Sequence, residues 1–227
     1  MTQKISIITP SFNQVDFVKK CLDSIRTQSV LPHEHIIYDG GSTDGTLDIL
    51  KEYAANHSFV HLHIGQDSGQ TDAINKGFTD STGDIITWLN TDDFYLDIDV
   101  IKDIEKAFSQ NKQADFIYGN GDFISPEGDF LRTAFINKED TNLFDDFMRM
   151  VGILQPATFF KKTTFDELGL LDETIGYAFD YEYWVRAARA DMNFHYIDRK
   201  ICAAILHSDS KTMGQRGDSL QQTCDVG

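Results

Sequence analysis

Apolar positions in the first 120 residues follow two alternating periods. Short apolar runs of strand length occur at 5–8, 35–38, 59–64, 84–89 and 114–118. Between these runs, apolar residues recur every three or four positions, as they do along one face of a helix. Strands separated by helices of this length predict a mostly parallel sheet with helices on both faces. The predicted inward-facing helical positions are Phe17, Val18, Cys21, Leu22, Ile25, Leu47, Leu50, Tyr53, Ala54, Ile98, Ile101, Ile104 and Phe108.

The second half of the chain is less regular. A Pro/Gly turn at 125–128 between apolar pairs predicts a hairpin. Helices are predicted over 143–150 and on the face formed by Tyr181, Trp184 and Val185. Further strands are predicted at 157–160, 194–197 and 200–206. We find no internal repeat and no linker. The pattern therefore predicts one mixed α/β domain over 1–227, with an irregular C-terminal part that carries a smaller β element.

Composition and charge exclude several classes of protein. The 227 residues are 41% hydrophobic and 25% charged, which is typical of a soluble globular domain. The formal net charge of −16 argues against a nucleic-acid binder and against docking on an anionic membrane. No run of 18 apolar residues predicts a membrane span, and the first residues lack a signal-peptide core. Three scattered cysteines fit neither a zinc spacing nor a disulfide framework, which favours a reducing, cytoplasmic setting.

Polar residues follow the ends of three predicted strands, where ligands bind in open α/β sheets. The most suggestive are Asp92 and Asp93, directly after the fourth strand. Adjacent carboxylates repel each other, and Mg²⁺ or Mn²⁺ held together with a substrate phosphate would relieve that repulsion. The alternative is that both acids stabilise the N-terminal end of a following helix. The sequence leaves these two interpretations open.

A Gly-rich loop at 39–45 follows the second strand. It lacks the Gly-Lys-Ser/Thr of a phosphate-binding Walker loop, and it does not fit the dinucleotide fingerprint. A calcium loop that began at Asp39 would need Glu at its twelfth position, where Leu50 stands. Asp44 is predicted to be structural, near the start of the next helix. Asp39, at the last strand position, is predicted to accept a hydrogen bond from a ligand.

Five segments in order along the chain carry a resemblance to a known family. They are 7–13 (IITPSFN), 39–46 (DGGSTDGT), 67–77 (DSGQTDAINKG), 88–93 (WLNTDD) and 179–184 (FDYEYW). Together they resemble the family 2 glycosyltransferases, which have the GT-A fold with a Rossmann-like sheet. Two positions depart from the family pattern. Asn90 replaces the first acid of the D-x-D motif, and Ile74 stands where many relatives have a basic residue.

The resemblance implies a nucleotide-sugar-binding half at 1–120 and an acceptor-binding half at 121–227. It implies transfer of a sugar from a nucleotide diphosphate donor, with a UDP-sugar expected, to a hydroxyl, with inversion at the anomeric carbon. Mn²⁺ or Mg²⁺ would neutralise the departing diphosphate. Asp93 would bind the metal and Asp92 the ribose or the metal. The other implied nucleotide contacts are Pro10, Phe12, Asn13, Asp39 (which would accept the uracil imino N–H) and Asp67.

The same resemblance implies the residues on the acceptor side. Asp180 would be the general base, with Glu182 as the rival two positions further on. His207 would contact the metal or the diphosphate, and Lys211 the diphosphate. The remaining implied acceptor-side contacts are Gln155 and Tyr177. Trp184, in contrast, is predicted to belong to the core.

Two alternative functions remain. A sugar nucleotidyltransferase is built on a similar sheet, but needs a Gly-rich basic loop after the first strand, where 10–14 has neither glycine nor base. A non-catalytic sugar-binding module is disfavoured because both Asp93 and Asp180 are present. By resemblance, the setting is bacterial surface-polysaccharide assembly in the cytoplasm. The implied acceptor is a glycan or a lipid-linked glycan, with at most a peripheral contact at the inner face of the membrane.

Overall fold

A computed structural model of the chain describes residues 3–134 and 152–207. In this part of the chain, nine strands, six helices and a 3₁₀ turn at Gln155–Ala157 follow one another. The strands are β1 Ile5–Ser11, β2 Glu34–Asp39, β3 Val60–Ile64, β4 Ile85–Trp88, β5 Asp93–Tyr95, β6 Phe116–Ile124, β7 Phe130–Thr133, β8 Thr158–Lys161 and β9 Phe194–Ile205. The helices are α1 Val15–Arg26, α2 Thr46–Asn56, α3 Gln70–Asp80, α4 Val100–Gln110, α5 Lys162–Leu168 and α6 Phe179–Arg189.

The strands form one sheet in the order β3-β2-β1-β4-β8-β6-β9-β5, and β7 pairs with β6 at its side. β3, β2, β1 and β4 are parallel, as are β6 and β9. β8, β5 and β7 run antiparallel to their neighbours. Because β2 and β4 lie on opposite sides of β1, the chain leaves the end of β1 at a switch in strand order. Such a switch opens a crevice beyond the carboxyl ends of the strands.

Both faces of the sheet are covered by helices. Successive strand residues point to opposite faces, and neighbouring residues of one strand therefore pack in different cores. Ile8 and Ile86 pack in one core with residues of α3 and α6. Their sequence neighbours Ile7 and Ile85 pack in a second core with residues of α1 and α4. The predicted α/β class with helices on both faces is therefore confirmed. Trp184 is fully buried in the first core, as predicted.

Several element predictions need correction. Ile98 does not face the core: α4 begins at Val100, after the turn in which Asp99 N–H donates to Asp97, and Ile98 is 55% exposed. The two strands predicted at 194–197 and 200–206 form the single strand β9, which pairs with β6 across a register shift. β5 and α5 lacked a clear pattern because they are only three and seven residues long. The helix predicted over 143–150 lies outside the described residues.

The single sheet contains strands from both predicted halves of the chain. The boundary predicted at residue 120 falls inside β6, so the two halves share this strand. Cys21 and Cys202 are buried free thiols. Within 3–134 and 152–207, no helix combines the length and the apolar character needed to cross a bilayer.

Candidate active site

A cavity of about 950 Å³ opens beyond the ends of β1 and β4. It is lined by residues from both halves of the chain, although these are up to 197 positions apart, from Pro10 to His207. Of the residues predicted from sequence, the following line it: Pro10, Phe12, Asp67, Asp92, Asp93, Gln155, Tyr177, Asp180 and His207. Asn13 and Asp39 are not among the lining residues, and Lys211 lies outside the described residues.

Asp39 is buried beneath the loop that follows β2. Its Oδ1 accepts backbone N–H bonds from Gly41 at 3.0 Å and Ser42 at 2.8 Å. Its Oδ2 accepts hydroxyl bonds from Ser42 at 2.6 Å and Ser11 at 3.0 Å. A carboxylate offers about four acceptor sites, so three donors from the loop and the Ser11 hydroxyl of β1 account for all of them. That Asp39 contacts a nucleobase stays a prediction. In the structure its carboxylate holds the loop in place and connects it to β1.

Asn13 connects the loops that follow β1 and β2. Its backbone N–H donates to Ser42 Oγ at 2.8 Å, and its Oδ1 accepts the Thr43 N–H at 2.9 Å. Asp44 receives the N–H groups of Val15 and Thr46, as its predicted structural role requires. These bonds fix the rim of the cavity, on which Phe12 stands 58% exposed.

Gly40, Phe12 and Asp67 meet at this rim. A Cβ at Gly40 would lie 3.0 Å from Asp67 Oδ2 and 3.2 Å from the Phe12 ring. A side chain at position 40 would therefore crowd both the Phe12 ring and the Asp67 carboxylate, two groups that can stack on and hydrogen-bond a planar base. Asp67 itself is oriented by the Gly69 N–H, which donates to its Oδ1 at 3.0 Å.

Asp92 and Asp93 differ in their surroundings, although they are adjacent. Asp93 is the first residue of strand β5 and is 5% exposed. Burial and the neighbouring Asp92 carboxylate raise the pKa of Asp93 well above its usual value. Asp92 is more exposed and lies 3.3 Å from Nε2 of His207. Because a strand and not a helix follows, the alternative in which the two acids stabilise a helix N-terminus is wrong.

His207 is oriented by an aromatic contact as well as by Asp92. Its ring stacks on Phe17 of α1, with the ring centroids 4.5 Å apart. In 3–134 and 152–207, no group of three or more His, Cys, Asp or Glu side chains is arranged to hold a metal. Asp92 and His207 fit a shared cation if substrate oxygens and water complete the ligand set, as they commonly do for Mg²⁺ and Mn²⁺. Carboxylate and water ligands suit both Mg²⁺ and Mn²⁺.

A chain of side-chain amides lies next to these acids. Gln70 Nε2 donates to Asn90 Oδ1 at 2.7 Å, and Asn90 Nδ2 donates to Asp93 Oδ2 at 3.0 Å. Asn90 Nδ2 also lies 3.3 Å from Gln155 Oε1, while Gln155 Nε2 donates to the Trp88 carbonyl at 2.7 Å. Sequence reasoning missed Gln70 and treated Asn90 only as a lost acid. The sequence does place an amide side chain in each of these two motifs, Gln70 and Asn90, and such a pair could have predicted a hydrogen bond between them.

Asp180 and Glu182 separate as their helical positions require. Asp180 is the second residue of α6 and lines the cavity, and its Oδ1 accepts the Tyr181 N–H at 2.8 Å. Glu182 does not line the cavity; it forms a two-point ion pair with Arg186 at 2.6 and 2.9 Å. Ala178, not Asp180, occupies the N-cap position. Among the acids of α6, only Asp180 is therefore placed to meet a molecule in the cavity.

A model of a known family matches residues 6–169, described as Glycosyl transferase family 2. The chain belongs to glycosyl transferase family 2. A PGL/p-HBAD biosynthesis glycosyltransferase of Mycobacterium bovis is 34% identical over 116 residues, which cover 51% of this chain and 45% of that protein. The hyaluronan synthase of Pasteurella multocida is 24% identical over 94% of this chain, but only 21% of its own length is matched. The chain thus spans less than half the length of these two relatives.

Solved glycosyltransferase structures share the fold. The crystal structure of S. aureus TarS 1–349 in complex with UDP-GlcNAc superimposes with a TM-score of 0.76 and 18% sequence identity. The match covers 92% of this chain and 60% of the TarS chain. The GT-A fold expected from the sequence is confirmed, and so is the expected membership of glycosyl transferase family 2.

Proposed function

We propose that the chain is an inverting transferase that moves a sugar from a UDP-sugar to a hydroxyl of a glycan or lipid-linked glycan acceptor. The observation that carries this proposal is the shared cavity. The Asp92–His207 pair and the carboxylate of Asp180 line the same space. The pair can hold the diphosphate through a cation, and a separate carboxylate can take a proton from the acceptor. Surface-polysaccharide assembly is the proposed setting, since a hyaluronan synthase is among the relatives.

The nucleotide is proposed to lie at the rim formed by Phe12, Gly40 and Asp67. Phe12 would stack on the base, and Asp67 Oδ2 would accept an imino N–H, which uracil and guanine both have but cytosine and adenine lack. Asp39 remains a candidate for the same contact, although it would have to give up one of its internal hydrogen bonds. TarS, which shares the fold, is a UDP-GlcNAc complex, and a mannosyltransferase of Pyrobaculum calidifontis with this fold is a GDP-Man complex. The expectation of UDP is therefore tested against GDP.

Mn²⁺ or Mg²⁺ is proposed at Asp92 and His207. The adjacent carboxylate of Asp93 also lines the cavity there. When bound, the cation would supply a positive charge for the diphosphate that leaves. The chain's own residues do the rest. Asn90 holds Asp93 in place, and Phe17 holds the imidazole of His207. Asp180 would act as the general base. Its carboxylate would accept the proton of the acceptor hydroxyl while the hydroxyl oxygen bonds to the anomeric carbon.

A thermal-shift titration with UDP, GDP and UDP-sugars, with and without Mn²⁺, tests the donor. A ligand that binds the folded state alone raises the melting temperature by mass action, so UDP with Mn²⁺ is expected to give the largest shift. Phe12→Ala should reduce that shift, whereas Phe130→Ala should not, because Phe130 is similarly exposed at 62% but lies outside the cavity. Equal shifts with GDP, or no shift with any nucleotide, would contradict the proposed donor.

Product analysis separates the transferase from the two alternative functions. A transferase releases UDP from a UDP-sugar when an acceptor is present. A nucleotidyltransferase forms pyrophosphate from UTP and a sugar phosphate, and a binding module forms neither product. Release of pyrophosphate, or binding without turnover of any donor, would therefore replace the present proposal.

A further inference from the structure

Helix α3 contacts both the proposed cation site and the loop that leads to the acceptor side of the cavity. Its first residue, Gln70, reaches Asn90 beside the proposed cation site. Near its other end, Gly77 lets the helix approach β1 closely, because a Cβ at this position would lie 2.4 Å from Cγ2 of the buried Ile8. The helix therefore packs closely against the sheet. Close packing of this kind fixes the position of a buried side chain in the middle of the helix. Asn75 is such a side chain.

Asn75 binds the loop between α5 and α6 through both ends of its amide. Its Nδ2 donates to the Leu171 carbonyl at 3.0 Å, and its Oδ1 accepts the Leu171 N–H at 3.0 Å. The same Nδ2 lies 3.2 Å from Glu173 Oε1. Asn75 is only 4% exposed, and Leu171 is 2% exposed. A side chain that pairs with both backbone groups of one residue fixes both the position and the direction of the chain at that point.

The clamped loop leads directly to the acceptor side of the cavity. Six residues after Leu171 comes Tyr177, and Asp180 follows three residues later; both line the cavity. On its other flank the loop is held by Arg186, whose Nη1 donates to the carbonyls of Leu168 and Leu170. At Leu171, Asn75 ties this loop to the donor-side helix through hydrogen bonds to both backbone groups.

We propose that Asn75 is a positioning residue that aligns the loop carrying Tyr177, and with it Asp180 at the start of α6, against the sugar held on the donor side. This inference rests on the proposed function, because it assigns Asp180 its task there. The reason is geometric: in transfer between two bound molecules, a displacement of about 1 Å can cost on the order of 100-fold in rate. Asn75 does not line the cavity and would act through Leu171 and Glu173.

Asn75→Asp is the test variant, because it keeps the size of the side chain and removes its donor. The new carboxylate would face the Leu171 carbonyl and the Glu173 carboxylate. We expect kcat for transfer to fall about tenfold or more, while the Kd for UDP with Mn²⁺, measured by calorimetry, stays within about twofold of the parent. Hydrogen exchange, followed by mass spectrometry, should become faster in the peptide that covers 170–178.

Two further variants make the result specific. Asn56→Asp makes the same change at the end of α2, where the side chain donates to the Glu52 carbonyl outside the cavity, and should leave kcat and hydrogen exchange in 170–178 unchanged. Adding Glu173→Gln to Asn75→Asp exchanges the acid and the amide of this pair. The new amide at position 173 can donate to the carboxylate at position 75, so it should recover part of kcat and part of the exchange protection.

The outcomes are separable. If Asn75→Asp does not fold, Asn75→Ala, which removes the clamp without adding a charge, gives the same two measurements. Parental kcat and parental exchange in 170–178 overturn the inference, as does a loss of kcat matched by an equal loss of UDP affinity. If the parent transfers sugar from no donor, the proposed function fails, while unchanged exchange in the variant would independently overturn the clamp.

Discussion

The side chain of Asn90 donates to Asp93, with Nδ2 3.0 Å from Oδ2, at the position where relatives of this family carry an acid. The same nitrogen faces Gln155 Oε1 at 3.3 Å. The side chain at this position thus donates towards two oxygen atoms, and the oxygen of an acid would face both of them. The amide of Gln70, which donates to Asn90 Oδ1, fixes which end of the Asn90 side chain points towards Asp93.

Asn90→Asp is consequently expected to reduce activity, although it recreates the family motif. The change removes the hydrogen bond that orients Asp93 beside the proposed cation site, and loss of such an orienting partner typically lowers activity by about 10- to 100-fold. UDP release in the presence of acceptor and Mn²⁺ measures the effect. Asn111→Asp is the matched control, because it removes one donated bond at the end of α4, outside the cavity. Activity equal to the parent in Asn90→Asp would show that the Asn90 donor is dispensable.

Asp180→Asn is expected to lower kcat by about 10²- to 10⁴-fold, the usual cost of losing a general base. Binding of UDP should be preserved, since Asp180 is on α6, whereas the nucleotide is proposed to contact Phe12, Gly40 and Asp67. Glu182→Gln is the matched control: it weakens the ion pair with Arg186 and should lower kcat only slightly. A dead Glu182→Gln beside an active Asp180→Asn would mean that the base has been misassigned.

His207→Ala is expected to raise the Mn²⁺ concentration needed for half-maximal activity. Phe17→Leu, which removes the stacked ring and leaves the imidazole, should raise it by a smaller amount, within the 10- to 100-fold range typical of residues that orient metal ligands. Titration of Mn²⁺ against initial rate gives both values. His63→Ala provides the comparison, because His63 stacks on Tyr38 away from the cavity. Full activity of the parent in excess chelator would remove the metal from the reaction.

His35 is expected to make the protein less stable as the pH falls. Burial lowers the pKa of His35 to about 3 in the folded chain, whereas an unfolded histidine titrates at about 6.5. Below pH 6.5 the unfolded chain therefore binds a proton that the folded chain does not. From pH 7 to pH 5 this group should lower the free energy of unfolding by about 2 kcal/mol.

Urea unfolding at pH 7, 6 and 5 measures this change. His35→Gln removes the titrating group, and its amide can still meet Thr9 Oγ1, which lies 2.9 Å from His35 Nε2. The variant should be less stable than the parent at pH 7, and the difference between the two should shrink towards pH 5. Parallel pH dependences in the two proteins would show that His35 does not contribute.

The alternation of periods predicted most of the fold, because strand and helix patterns are local properties of the chain. β1 to β4 and the helices between them occur where apolar runs and helical faces predict them. The pattern failed at Ile98 and between 194 and 206. At Ile98 a local turn decides the structure, because Asp99 N–H donates to Asp97 before α4 begins. Between 194 and 206 the pairing of β9 with the distant strand β6 decides it.

The motifs likewise determined the family and the identity of most residues around the cavity, since their order along the chain is specific. They did not determine which groups meet. Asp39 is withdrawn beneath its loop by Ser11, 28 positions away, while Asp67 remains at the rim. Glu182 is held by Arg186, which leaves Asp180 to the cavity. Asn75 finds Leu171 across 96 positions. The Glu182–Arg186 pair is local, four residues apart on one helix. The bonds of Asp39 with Ser11 and of Asn75 with Leu171 join segments that only the folded sheet brings together, so periodicity and spacing contain no record of them.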